Sequence, residues 1–438
     1  MSELYSITEY GTFISKNSPA ATSNVSGCVV LPENTFNQLE EFILANKNRD
    51  TDALELLGLS ARRGFGKIIT AKNYVGLIAM NSGDIIEILP KIARARDDEK
   101  SEEQKMLEAK NLLLEMIKSL KDPKYKNMQA AALKSDKVSL FEIFIRMYID
   151  EVFSIVKGGL RCAYETVEEN APFVKGKILF DKNIKYNFAH KELNYIQYDE
   201  FDENRAENKL LKSTLKYLYK HTQSMNNKKD LKTLLNSFSE VEYSDDYEKD
   251  FNKVVIDRGT KHYENALIWS RVFLQGKSFT NYSGSETAFA LLFPMDKLFE
   301  SYVASKFASI LDSKRYIVSA QDSRFTLFDA PKKFQLKPDI VIRDKIEGKI
   351  YLLDTKWKML SKAYNNYGIN QGDMYQMYAY QKKYQSENVT LLYPVSEIDL
   401  ADSNISYTSE DNCKVMVHFV DLINIKMSIE KVMERITA

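Results

Sequence analysis

The chain has 438 residues, 44% of them hydrophobic, enough for two or three domains with cores of their own. Its 61 Lys and Arg balance its 61 Asp and Glu, which argues against a simple DNA-coating protein, so any contact with DNA has to come from local clustering. Three cysteines, Cys28, Cys162 and Cys413, are too few for a four-thiolate iron–sulfur cluster and fit a reducing, cytoplasmic compartment.

The opening residues, MSELYSITEYGTF, lack a basic segment followed by an apolar core, so no secretory signal is expected there. Residues 1–93 read as a small mixed domain. A strand at Cys28 to Leu31 precedes a helix capped by Thr35, with Gln38 three residues on and Phe36, Leu39, Phe42 and Ile43 facing inward. Lys67 to Ala71, Tyr74 to Met80 and Ile85 to Leu89 are strand-like, the last two joined through the turn residues Asn81-Ser82-Gly83-Asp84. Between them GLSARRGFGK, Gly58 to Lys67, has the glycines and lysine of a phosphate loop without its spacing. Ile68 also stands where a magnesium-binding hydroxyl belongs, so Arg62 and Arg63 read as a solvated basic loop.

From Arg94 to Lys105 nine of twelve residues are charged, in both signs, which marks a boundary or a solvated helix start. A helix from Met106 to Leu120, stopped by Pro123, is followed by one from Val138 to Val156 before Gly158-Gly159. Glu142, Arg146, Asp150 and Glu151 form a polar stripe on the second, which makes it a buried amphipathic helix rather than a membrane span. Further helices are expected from Glu207 to about Tyr219 and around Trp269. Residues 94–275 thus form a mostly helical middle region without legible chemistry. Four histidines, His190, His221, His262 and His418, show no metal-ligand spacing, and no G-x-S-x-G elbow or complete nucleotide loop occurs. Any motor this chain works with is another chain.

The chemistry lies in residues 276–438. Phe293 to Val303 opens a helix with Pro294 near its start and Leu298, Phe299, Tyr302, Val303 and Phe307 on one buried face, Glu300 beside it. Leu336 to Lys358, LKPDIVIRDKIEGKIYLLDTKWK, reads as an antiparallel hairpin in which Asp344 faces Lys349 and Asp339 faces Asp354. Like charges opposed in this way destabilise a sheet unless something neutralises them, as a divalent cation does. Lys356 shares the face of Asp354, while Thr355 points away and leaves only its backbone carbonyl near the site. Oxygen ligands with open positions suit Mg²⁺, and a lysine beside it positions an attacking water. Downstream, Gln376 and Tyr380 share a helix face at i, i+4. The bland readings of these residues are a strand-start aspartate paired with a lysine, an exposed helix carboxylate and a tyrosine-rich packing helix. Strands at Val389 to Tyr393 and Lys414 to Val420 and a helix from Leu422 to Ile436 close the chain.

Pro338-Asp339 followed by Asp354-Thr355-Lys356 resembles the PD-D/ExK nucleases, and Gln376 with Tyr380 resembles the QxxxY element of RecB-like nucleases. FPMDKLFESYV, together with YVGLIAMNSGDIIEILPKI (Tyr74 to Ile92) and GLRCAYETVEENAPFVKGKILF (Gly159 to Phe180), is similar to the McrC family. The resemblance implies an α/β (α+β) multidomain chain: a small mixed N-terminal domain (1–93), a helical middle (94–275) and a PD-D/ExK restriction-endonuclease-like domain (276–438). It also implies a Mg²⁺-dependent endonuclease, Mn²⁺ being the alternative ion, with metal ligands Asp339, Asp354, Thr355 and Glu300. Lys356 would activate the water, and Gln376 and Tyr380 would position the strand. The implied partners are double-stranded DNA and an McrB-like AAA+ GTPase ring, which recognises 5-methylcytosine and which this chain binds through its N-terminal portion and stimulates. Two other functions stay open: a non-catalytic NTPase adapter, which has no need of an intact Asp339, Asp354 and Lys356 set, and a stand-alone RecB-like exonuclease.

Overall fold

The first strands form where short apolar runs are bounded by turn residues. In the computed structural model, which describes residues 3–22, 27–45, 56–80, 82–91, 101–119, 139–275, 288–395 and 403–437, these are β1 (Leu4–Thr8), β2 (Thr12–Ser15), β3 (Cys28–Leu31), β4 (Leu57–Arg62), β5 (Gly66–Ala71), β6 (Tyr74–Met80) and β7 (Ile85–Leu89). One sheet has the order β3-β2-β5-β4. The Gly58 to Lys67 segment is therefore a hairpin, its strands paired from Leu57↔Ala71 to Arg62↔Gly66, and Arg62 lies 4.9 Å over the Phe65 ring. The Glu33–Ala45 helix buries Phe36, Leu39, Phe42 and Ile43 as expected. Thr35 is not its cap: the helix begins two residues earlier, after Pro32, and the buried Thr35 hydroxyl donates to Asp84 Oδ2 at 2.6 Å. Two expected features, the Pro123 helix stop and most of the Arg94 to Lys105 charge run, lie outside the described residues.

The chain divides into two units, one of residues 1–140 with 278–438, the other of residues 141–277. In the second, the Leu140–Gly158, Ala206–His221, Met225–Ser237, Tyr247–Lys253 and Glu264–Gln275 helices account for most of the length, as the helical reading expects. Tyr148 and Phe144 are fully buried, the Tyr148 hydroxyl 2.9 Å from Ser270 Oγ and the Phe144 ring 5.6 Å from that of Trp269. Glu142 leaves its polar stripe: its buried carboxylate accepts from the Thr222 hydroxyl, the Asn227 amide group and the backbone of Gln223. A three-stranded sheet, β8 (Ala163–Ala171), β9 (Lys177–Ile178) and β10 (Asn194–Asp202) in the order β8-β10-β9, was not legible in the sequence. Its strands, ETVEEN and YIQYDEFD, are too rich in charge for the apolar alternation that marks a strand.

On returning to the first unit the chain forms β11 (Ala288–Pro294), β12 (Tyr316–Ala320), β13 (Thr326–Asp329), β14 (Lys332–Gln335), β15 (Ile340–Asp344), β16 (Ile350–Thr355), β17 (Asn388–Pro394), β18 (Ile405–Thr408) and β19 (Lys414–Val420). A six-stranded sheet runs β12-β15-β16-β17-β19-β18, with β16, β17 and β19 parallel and the rest antiparallel. The Gln371–Tyr384 helix makes the crossover from β16 to β17 and buries Met377, Tyr380 and Tyr384 against Val341, Leu352, Leu391 and Tyr393. The Met295–Ile310 and Ile425–Thr437 helices also pack on this sheet and on each other.

Residues 1–93 do not stand apart from this layer. The second N-terminal sheet has the order β1-β7-β6-β11, so its last strand comes from beyond the middle region and runs straight into the Met295–Ile310 helix. Gly76 permits that pairing: it sits opposite Leu292 at φ +136°, and a Cβ there would lie 2.0 Å from the Leu291 carbonyl oxygen. Gly76→Ala should therefore cost at least about 2 kcal/mol, the scale of forced overpacking, seen as a lowered urea midpoint. An unchanged midpoint would show that β6 and β11 do not approach so closely.

Candidate active site

The β15/β16 pairing has the expected register, from Ile340↔Leu353 to Arg343↔Ile350, with the Asp344 amide donating to the Lys349 carbonyl at 3.0 Å. Continued one step beyond the paired residues, that register sets Asp339 against Asp354. Asp344 itself belongs to the turn, where it accepts from Ile346 N, Glu347 N and Arg315. Buried apolar residues on both strands hold the carboxylates at the sheet end, so neither can escape into water without unpicking the core.

Asp339, Asp354 and Lys356, with Glu300, line one open cleft of about 380 Å³. Asp354 is buried, and its Oδ2 is 2.8 Å from the Lys356 ammonium with no other donor among the described residues. Lys356 is shared: Asp373 lies 3.4 Å from it, and it donates to Gln376 Oε1 at 3.1 Å, while Gln376 donates to the Tyr380 hydroxyl at 2.7 Å. Gln376 and Tyr380 thus do share a face, aimed at the lysine. Glu300 is buried rather than exposed, 3.1 Å from Lys297 and hydrogen-bonded by Gln321, whose amide also reaches Asp339 Oδ1 at 3.2 Å.

Thr355 departs from the expected orientation. Its hydroxyl and its amide both donate to Asp339 Oδ2, at 2.6 and 2.8 Å, so its side chain points toward the site. Asp339 precedes its strand, outside the regular ladder, so its carboxylate reaches over the end of β16 and the strict alternation of faces no longer applies.

The electrostatics are those of crowded acids. Burial, then the charges of Asp354 and Glu300, push the Asp339 carboxyl up to about 7 against the two Thr355 hydrogen bonds. Burial also raises Asp354, with Lys356 opposing. Burial alone would lower the Lys356 ammonium, but Asp354, Asp373 and Asp339 outweigh it and hold the proton on. Among the described residues no three His, Cys, Asp or Glu side chains are arranged to hold a metal ion by themselves. Two carboxylates and water are the usual protein share of a Mg²⁺ site, however, and a cation between Asp339 and Asp354 would favour the charged form of both carboxylates against the burial that raises them.

Sequence reasoning missed four participants. Asp373 lies three residues before Gln376 on the same helix, where i, i+3 spacing would have found it. Gln321, at φ +54°, and Lys297 carry no such signal. Glu9, nearly the whole chain away, accepts from the Trp357 indole at 2.9 Å and from the Lys91 amide at 3.0 Å. Trp357 follows Lys356 directly and packs 5.3 Å from Phe299, the neighbour of Glu300.

A family model described as McrBC 5-methylcytosine restriction system component matches residues 69–394. The chain belongs to the McrBC family. The McrBC match spans the Tyr74 to Ile92, Gly159 to Phe180 and Phe293 to Val303 segments, and it bears out their resemblance to the McrC family. A chain of the refined half-complex from a tetradecameric assembly of Thermococcus gammatolerans McrB AAA+ hexamers with bound McrC shares the fold at a TM-score of 0.64 and 17% identity, covering 99% of this chain and 100% of that one. A chain of the cryo-EM structure of the Thermococcus gammatolerans McrBC complex covers 71% of this chain and 88% of its own at 18% identity, but at a TM-score of 0.43 it carries no further argument. No curated protein matches significantly.

One stability consequence follows from the crowding. A carboxyl whose folded pKa stands above its unfolded value favours folding when protonated, so this contribution is present near pH 4 and lost as the pH rises through about 7. Asp339→Asn, which keeps an acceptor for Thr355, should raise the melting temperature of the metal-free protein at pH 8, and the gain should shrink toward pH 4. A loss of stability at pH 8 would mean that Asp339 is held by attraction instead.

Proposed function

We propose that this chain is the DNA-cutting subunit of a 5-methylcytosine-dependent restriction system, a Mg²⁺-dependent endonuclease of the PD-D/ExK type. The observation that carries this reading is the convergence of Asp339, Asp354 and Lys356 in one cleft, the lysine paired to one carboxylate and the other carboxylate pinned by Thr355. Asp339 and Asp354 would hold the cation, with Glu300 beside them; Thr355 serves as a hydrogen-bond donor to Asp339. When bound, Mg²⁺ supplies positive charge to the phosphate and lowers the pKa of its water.

The remaining work falls to the chain's own groups. Lys356 stays protonated because its acidic neighbours outweigh burial, so it acts as a fixed donor that orients a water and stabilises charge developing on the phosphate. Gln376 sets the direction of that ammonium and is itself held by Tyr380. Asp373 gives Lys356 a second anchor, so the lysine need not lie wholly on Asp354.

The partner in this reading is an McrB-like AAA+ GTPase, which recognises the modified base, brings double-stranded DNA to the site and is stimulated in return, all in the cytoplasm. The Thermococcus gammatolerans assembly of similar fold, which contains McrB AAA+ hexamers with bound McrC, supports this, as does the lack of a nucleotide loop in this sequence. No described helix is long and apolar enough to cross a membrane.

Asp354→Asn should abolish cleavage of methylated plasmid in the presence of the partner, GTP and Mg²⁺ while leaving partner binding intact; undiminished cutting would sink the site assignment. Lys356→Ala should slow cleavage by about a hundredfold or more, the scale of losing one transition-state donor, yet still bind Mg²⁺ in a calorimetric titration. Loss of metal binding along with activity would make the lysine structural. Efficient cutting by the chain alone, without nucleotide, would favour a stand-alone nuclease.

A further inference from the structure

The hairpin of β13 and β14, residues 323–337, sets Leu327 and Leu336 against the core of the six-stranded sheet but leaves its other residues largely outside it. It is a two-stranded sheet whose second strand is exposed throughout, and Phe328 and Phe334 are 56% and 71% exposed, their rings 5.8 Å apart. Phe334 is also held in the left-handed region at φ +60°, where a side chain of its size is rarely found. An exposed aromatic in a strained backbone is a poor element for stability alone.

Its charge sets it apart from the neutral chain. Residues 323–337 hold four basic residues, Arg324, Lys332, Lys333 and Lys337, against one acid, Asp329, which is itself bound by Lys383 at 2.8 Å. Arg324 is paired with Asp322, but Lys332, Lys333 and Lys337 have no acidic partner among the described residues. The feet of the hairpin are tied to the site. The Gln321 amide donates to the Asp339 carbonyl at 2.9 Å, and the Gln321 side chain touches both Glu300 and Asp339. Leu336 N donates to Phe325 O at 2.9 Å, and Phe325 packs on Tyr384 at 4.6 Å.

We infer that this hairpin is a DNA-gripping arm, in which Lys332, Lys333 and Lys337 bind phosphates beside the scissile bond and Phe334 packs against the sugar or base edge. The inference rests on the nuclease reading and names the surface that holds its substrate. Unpaired lysines beside an exposed aromatic are the combination that grips a nucleic-acid backbone with little regard to sequence. That suits a subunit whose partner does the recognising. Four residues of strand span about 13 Å, close to four base-pair steps of duplex, so an arm rooted at Asp339 reaches only the flank of the cut. The net neutrality of the whole chain thus coexists with a local cluster of lysines on and beside the exposed strand β14.

The test uses the full chain carrying Asp354→Asn, binding a 30-base-pair duplex over a range of salt. Lys332→Gln with Lys333→Gln should weaken binding about tenfold and reduce the slope of log affinity against log salt by about two, while the Arg counterparts restore both. Phe334→Asn, which tolerates the left-handed backbone, should weaken binding with the salt slope and melting temperature unchanged. Affinity and slope equal to the parent in all variants would overturn the inference, as would a change of oligomeric state in light scattering, which would make the hairpin a contact between copies of the chain. Failure of the nuclease reading would show separately, as no cleavage by the chain without any substitution in the presence of Mg²⁺, partner and GTP.

Discussion

Three acids are forced together at the end of one sheet, and most of the first unit can be read as the means of keeping them there. Asp339 and Asp354 stand opposed across β15 and β16, Glu300 closes on them from a helix, and burial, then the charges of Asp354 and Glu300, push the Asp339 carboxyl up to about 7. Such a cluster survives because the apolar residues that bury it cannot rearrange cheaply: Ile340, Val341, Ile342, Leu352 and Leu353 are all essentially inaccessible. Burial and crowding make the cluster costly, and the packed strands on either side carry that cost.

The supports differ in how much they could be foreseen. The hairpin register, the facing aspartates, the lysine on the face of Asp354 and the Gln376 and Tyr380 pair follow from periods of two and of four residues, which are local and need no knowledge of the rest of the chain. The orientation of Thr355 did not follow, because Asp339 lies one residue outside the ladder where alternation ends. Nor did Gln321 or Glu9. Glu9 touches Trp357 across 348 positions of sequence, and no periodicity links residues so distant.

The same limit applies to domain organisation. A composition break near residue 94 and a helical middle are visible, and the McrBC-like segments keep their order. That β11 returns to complete an N-terminal sheet is not visible, because a strand carries no mark of which edge it will join. The Glu9 carboxylate, raised to about 7 chiefly by burial and held by the Lys91 amide and the Trp357 indole, is a second tie of this kind. Through these two ties the N-terminal strands hold both Trp357, next to Lys356, and the helix that carries Glu300.

Residues 141–277 leave and re-enter a unit that is otherwise closed on itself, so they are an insertion in the topological sense. The register of β15 and β16 and the tie between Glu9 and Trp357 are made entirely by residues outside the insertion, so among the described residues the geometry of the cleft is closed without any hydrogen bond from the inserted unit.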